Sequence, residues 1–216
     1  MIDKKCRVEY MDFFENILKN APAGTYDEMA LPSYIHKNKL MSWLFWKRIE
    51  VALSMAGDMQ KTSVLDFGCG GGVAFRHFQR FECSISGCDK YSYDLAAAVC
   101  GRFGLHAELY KDLQEIKGRS FDYIFALDVL EHIEDLGSVT VQLIGLSSAK
   151  TNIIISGPTE SLIYKIGRHL AGFSGHYHIR NIYDIERFLK QKKLRCLKVK
   201  RLYPPAPLFR VSAWSL

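Results

Sequence analysis

The stretch Val64-Leu65-Asp66-Phe67-Gly68-Cys69-Gly70-Gly71-Gly72 constrains the fold more than any other part of the chain. Four glycines within five positions follow an apolar run that ends in an acid. Glycine carries a large entropy cost on folding, so such a cluster marks a backbone that turns through positive φ or lies directly against a ligand. A short buried strand over 62–67, a glycine turn and a helix over about 72–80 meet both demands. Amides leaving such a turn converge on a region of positive potential with no Cβ in the way. A dinucleotide-binding turn asks for a small residue three positions after its second glycine, and Val73 stands there instead. Asp66 would also repel a pyrophosphate. An acid so placed suits a ligand with a cationic end.

Periodicity extends this unit into an alternation. Residues 40–56 place Met41, Phe45, Ile49, Ala52 and Ala56 on one helical stripe, with Gly57 as a stop. Strands are read over 62–67, 84–89, 106–110, 121–127 and 152–156, with helices over 93–103, ended by Gly104, and after Glu131. Asn181 and Asp184 cap a helix through Lys193, and LRCLKVKRL and LFRVSAW follow as two strands close enough in sequence to pair antiparallel. The fold class is α/β: a Rossmann-like, doubly wound, seven-stranded and mostly parallel sheet with an antiparallel C-terminal strand. Ligands of such sheets bind beyond the carboxyl ends of the strands.

Length and composition agree. A chain of 216 residues with 48% hydrophobic and 24% charged residues suits one domain with a large core. The expected organisation is a single domain over 1–216. Within it, 1–40 form an N-terminal cap on the substrate side, 60–157 the ligand-binding core, and 158–216 a substrate-side helix and C-terminal strands. No N-terminal leader and no membrane-spanning run are read, which implies a cytoplasmic protein. Six cysteines show neither a Cys-x-x-Cys pair nor histidines at zinc spacing, so reduced thiols and no metal are expected. The net charge of +6 gathers at Lys190, Lys192, Lys193, Arg195, Lys198, Lys200 and Arg201. These are read as a solvated helix end and strand face rather than a nucleic-acid surface, because no aromatic residues interleave them.

Asp66-Phe67-Gly68-Cys69-Gly70-Gly71-Gly72 resembles the first motif of class I S-adenosylmethionine-dependent methyltransferases, an acid-x-Gly-x-Gly-x-Gly pattern after the first strand. Asp89 after the second strand, Asp112-Leu113 after the third, and FDYIFALDVLEHIED (121–135) after the fourth stand in the matching order. The last is similar to the Leu-Glu-His motif of the small-molecule branch. The resemblance implies that S-adenosylmethionine is the cofactor and that Asp66, Gly68, Cys69, Gly70, Gly72, Asp89, Lys90, Asp112, Leu113, Leu127 and Asp128 hold it. Within that set the glycine loop takes the methionine part, Asp89 the ribose hydroxyls, Asp112 with Leu113 the adenine edge, and Asp128 the methionine end. Physics supports the ribose role independently: Asp89 lies 23 positions after Asp66, near the spacing of the ribose acid in a βαβ unit.

Methyl transfer from a sulfonium asks for alignment, exclusion of water and, for a hydroxyl acceptor, removal of a proton. His132 and His176 are the candidate bases, with His178 beside the second; an imidazole titrates in the useful range. His36, His77, His106 and His169 are read as structural or surface residues. Recognition of a small-molecule acceptor falls to the aromatic segment 22–40, with Tyr26, Tyr34 and Trp43 as walls, and to the stripe Leu162, Ile163, Ile166 and Leu170, which would also permit peripheral membrane contact if the acceptor is a lipid. Two other readings stand beside this one. One is an RNA or protein methyltransferase, against which Asp128-Val129-Leu130-Glu131 replaces the Pro-Pro motif of amino-nitrogen enzymes. The other is a non-catalytic partner that keeps the fold.

Overall fold

The computed structural model describes residues 3–22, 31–161, 179–202 and 207–216. The strands are β1 (Ser63–Phe67), β2 (Ser84–Cys88), β3 (Ala107–Tyr110), β4 (Phe121–Leu127), β5 (Ser147–Pro158), β6 (Arg195–Leu202) and β7 (Phe209–Ser215). They form one sheet in the order β3-β2-β1-β4-β5-β7-β6. Strands β1 to β5 run parallel, and β7 is antiparallel to both neighbours. The last strand of the chain thus inserts between β5 and β6. The helices are α1 (Lys4–Asn20), α2 (Leu31–Tyr34), α3 (Lys39–Ala56), α4 (Phe75–Arg80), α5 (Tyr93–Phe103), α6 (Leu136–Gly145) and α7 (Ile182–Gln191), with single 3₁₀ turns over Leu113–Glu115 and Leu130–His132.

The central strands are apolar almost without interruption because both faces are covered. In β4, Tyr123 and Phe125 enter a core with Tyr10, Trp46, Phe75 and Phe78, while Ile124 and Ala126 enter a second core with Ile155, Ile185 and Trp214. The strict two-residue alternation of side chains divides one strand between two layers. Ile154 on β5 joins the first core and Ile153 the second. No helix among the described residues is long and apolar enough to cross a membrane.

The expected elements are present, with informative differences. The helix after the glycine loop begins at Phe75 rather than 72, since Gly72 has a φ of +61° that a right-handed helix cannot contain. Strand β5 is longer at both ends than 152–156. The basic cluster lies on the end of α7 and along β6, an edge strand on which lysines oppose pairing with another chain. Helix α1 was not read from the sequence at all. Asp3 caps it by accepting from the Cys6 amide at 2.7 Å, and Cys6, Tyr10 and Phe14 form its buried stripe. That stripe braces the glycine loop: the Tyr10 hydroxyl donates to the Gly72 carbonyl at 2.9 Å, and a Cβ on Gly71 would come within 2.9 Å of the Phe14 ring.

Helix α3 also departs from a simple amphipathic reading. Its stripe is present, but Ser42, Leu44, Trp46, Arg48 and Glu50 are buried as well, so the helix is covered nearly all round. Glu50 pairs with Arg7 of α1 and with Lys47. Arg48 points the other way, to the carboxyl end of the sheet.

Candidate active site

Strand ends and the glycine loop enclose a cavity of about 1280 Å³ at the carboxyl side of β1, β2 and β4. Of the residues assigned from sequence, Asp66, Gly68, Cys69, Gly70, Asp89, Lys90, Asp112, Leu113, Leu127, Asp128 and His132 all line it. Gly72 does not, and Gly71 does. Gly72 is instead packed under the Phe75 ring, which a Cβ there would approach to 2.7 Å. His176 and His178, Tyr26 and the 162–170 stripe lie outside the described residues. Tyr34 lines the cavity, whereas Trp43 is 41% exposed and is not part of its wall.

The glycine loop is stitched to the end of β2. The Gly68 and Cys69 amides donate to the Cys88 carbonyl, and the Gly70 amide donates to Asp89 Oδ2 at 2.9 Å. Those amides are therefore engaged within the protein and do not form the anion cradle expected from the spacing. What the loop offers a ligand is close approach. A Cβ on Gly68 would lie 2.5 Å from Val129, so only glycine fits beneath that residue. Gly70, at φ +52°, has no atom within 4 Å of an added Cβ; the open space above it belongs to the cavity. Asp89 has a second task too, since its Oδ1 accepts from the Tyr91 and Ser92 amides at 3.0 and 2.7 Å and caps the approach to α5. This leaves Oδ2, rather than both oxygens, with room for a ribose hydroxyl. Asp112 likewise caps the turn over Leu113–Glu115 through the Gln114 amide.

At the sheet end Asp66, Asp128, Glu131 and the Arg48 guanidinium lie at β1 and β4, with Asp89 at the end of the neighbouring β2. Asp66 is 4% exposed, and burial, with Asp89 nearby, pushes its carboxyl up from 3.8 to about 7. Asp128 takes a φ of +53°, a left-handed conformation that costs a non-glycine residue about 1–3 kcal/mol. Its surroundings impose it: the Asp128 amide donates to the Ser156 carbonyl at 3.1 Å, the Ser156 hydroxyl donates to Oδ1 at 3.0 Å, and Arg48 forms an ion pair with Oδ2. Arg48 is 2% exposed, and its guanidinium lies 4.5 Å from the Phe45 ring and 4.9 Å from the Phe209 ring. Burial works against its charge, but Asp128, Tyr34 and Glu131 outweigh burial and hold it protonated. Burial also raises the Glu131 carboxyl well above the usual range, with Asp128 adding to the shift. Sequence reasoning missed Arg48 and Glu131. The signal for Arg48 was a cation inside the apolar run WLFWKRIE, and for Glu131 its place in a motif whose histidine drew the attention.

These residues fit S-adenosylmethionine. The cavity opens directly above Gly70, Asp89 and Asp112 line it as hydrogen-bond acceptors, and the buried acids supply negative charge for a cationic centre. The sign of the Asp66 shift gives a test. Because its folded value is raised, the unfolded chain holds fewer protons between pH 4 and 7, and the protein loses stability through this group as pH rises across that window. A shift of about three units corresponds to up to about 4 kcal/mol. Asp66→Asn is therefore expected to raise the melting temperature of the ligand-free protein at pH 8, to change it little at pH 4, and to weaken cofactor binding; a variant less stable at both pH values would contradict the assignment. Gly70→Val places a branched side chain in the cavity at positive φ. Circular dichroism should show the fold largely kept, and calorimetry should show cofactor binding abolished.

Comparison with known proteins bears on the family of the chain. Proteins named ubiquinone biosynthesis O-methyltransferase are similar at low identity. That of Rickettsia felis is 24% identical over 151 residues, covering 68% of this chain and 62% of its own length, and that of Rhodopseudomonas palustris strain TIE-1 is 33% identical over 79 residues, covering 35% and 31%. The chain thus matches less than two thirds of the length of either relative. Among solved structures, magnesium protoporphyrin IX methyltransferase from Synechocystis PCC 6803, determined with bound SAH, superposes with a TM-score of 0.65 at 17% identity over 99% of both chains. A SAM-dependent methyltransferase from Aquifex aeolicus superposes with a TM-score of 0.63 at 13% identity, covering 93% of this chain and 97% of its own. The family model described as a methyltransferase domain matches residues 12–198, and the chain belongs to that family of S-adenosylmethionine-dependent methyltransferases.

Proposed function

We propose that the protein transfers a methyl group to an oxygen of a small, largely apolar acceptor. The observation that carries this reading is the apolar part of the cavity wall that α2 and α3 provide, here called the α2–α3 lobe. Beyond the cofactor residues its wall is built from Leu31 and Tyr34 of α2, Met41, Leu44 and Phe45 of α3, and Phe209 of β7. Such a lobe favours a ring or an aliphatic chain over a charged polymer. The O-methyltransferase relatives support oxygen as the target.

When bound, the cofactor supplies an electrophilic methyl group on a positively charged sulfur. The chain's own residues do the rest. The glycine loop and Asp89 fix one reactant, and the α2–α3 lobe fixes the other, so that a bimolecular encounter becomes a positioned one. Apolar walls exclude water that would compete as nucleophile. His132 stands at the cavity in the turn Leu130–His132 and is exposed, a position from which an imidazole can exchange a proton with solvent. The basic side chains that would favour a nucleic-acid substrate stand at the end of α7 and on β6, the edge strand opposite β3 and four strands away from β1. They therefore lend that alternative no support at the cavity.

A screen with radiolabelled S-adenosylmethionine against phenols, quinols, glycans and lipid intermediates tests the reading. Label recovered as a methyl ether on a phenol, quinol or lipid hydroxyl is the expected outcome. Label found only on nitrogen of RNA or protein, with no turnover of any small hydroxyl compound, would overturn it.

A further inference from the structure

The Arg48–Asp128 ion pair matches one positive and one negative charge, and of the other carboxyls that line the same cavity Asp66 and Glu131 are the buried ones. Asp66 ends β1 and Glu131 follows β4, the strand beside it. Glu131 is 1% exposed, and its Oε2 has no hydrogen-bond partner among the described residues. A buried carboxyl oxygen without a partner is uncommon in native proteins and calls for a role. The groups that bear on Glu131 are Arg48 from α3, Asp128 from the end of β4 and Glu160 beyond β5. Those that bear on Asp66 are Asp89 from the end of β2, the Cys69 thiol of the glycine loop and the Tyr34 hydroxyl of α2. Arg48 is the one cation among these neighbours.

Charge balance gives the two acids a common purpose. In transfer to a hydroxyl, the O–CH₃ bond forms and the S–CH₃ bond breaks. The electron pair of the broken bond stays on sulfur, which becomes a neutral thioether, and the acceptor oxygen sheds its proton. One positive charge thus disappears from a cavity of low dielectric at the moment a proton is released. Coulomb interactions there are several times stronger than in water, so losing the cation raises the proton affinity of every nearby carboxylate. We propose that Asp66 and Glu131, beside the Arg48–Asp128 pair, form a proton store that takes up the acceptor's proton and keeps the net charge of the cavity constant through the reaction. His132, at the exposed end, lies downstream of this store and returns the proton to solvent. Burial has pushed both carboxyls toward holding a proton: Asp66 up to about 7 and Glu131 well above the usual carboxylate range. The proposal rests on the hydroxyl-methylating reading but can be tested without an acceptor.

S-adenosylmethionine and S-adenosylhomocysteine differ by the methyl group and the positive charge on sulfur, so the difference in protons bound by their complexes isolates the effect of that charge. Calorimetric titration of the full chain with each ligand at pH 7, in phosphate and in Tris, measures it through the buffer's ionisation enthalpy. The homocysteine complex is expected to retain at least about 0.3 more protons per site than the methionine complex, a size set by carboxyls that titrate near the working pH. Glu131→Gln, which preserves shape, and Asp66→Asn should each reduce this difference, and His132→Ala should leave it intact. A wild-type difference below about 0.1 proton, with both ligands bound, would overturn the store. So would a difference that survives both acid substitutions and vanishes in His132→Ala. Failure of either ligand to bind would instead overturn the cofactor assignment on which the whole site is built.

Discussion

Burial of carboxyls that share a single arginine is the constraint around which this molecule is arranged. Ion pairing of Arg48 with Asp128 neutralises one of the acids at the sheet end, while Asp66 and Glu131 remain in surroundings that disfavour their charged forms. A site of this kind is uncomfortable when empty of cations, because an isolated buried charge is far more costly than an exposed one. It becomes favourable when a positively charged ligand enters. The same arrangement discriminates against a pyrophosphate, which agrees with a glycine loop whose Gly68, Cys69 and Gly70 amides are already engaged by the end of β2.

Elements outside the cofactor-binding core make that electrostatic design possible. Helix α3 delivers Arg48 between the rings of Phe45 and Phe209, so the guanidinium touches α3, β4 and β7 together. Helix α1 supports the far side of the glycine loop through Tyr10 and Phe14. The N-terminal helices therefore do more than cover a finished site. They supply its cation, part of the apolar wall of its cavity and the floor of its loop. Truncating a buried member of such an ion pair leaves the partner uncompensated, which makes the cap and the sheet end energetically one unit.

Local order was legible in the sequence where the signal is local. The strand periods, the stop at Gly104 and the Asn181 cap depend on neighbouring residues, and the structure reproduces them within about two residues except at the start of β5, which lies five residues earlier. The glycine motif identified the site because only close backbone approach explains that composition. What escaped depends on contacts distant in sequence. Arg48 reads as part of a helix surface until β4 and β7 fold against it. Gly72 reads as a ligand contact, yet its environment is Phe75 and Tyr10. Asp89 reads as a free carboxylate, yet it already caps the glycine loop and α5. Glu131 shared a motif with a more conspicuous histidine, and only its burial and its unpartnered oxygen mark it out.

A crystal structure of the chain with S-adenosylhomocysteine tests the central claim most directly, since that claim fixes the direction in which the ligand lies. The account predicts a ribose hydroxyl on Asp89 Oδ2, the adenine beside Asp112 and Leu113, and the sulfur turned toward Asp66, Asp128 and the α2–α3 lobe. A ligand bound outside this cavity, or reversed so that its sulfur lies against Asp112, would contradict it.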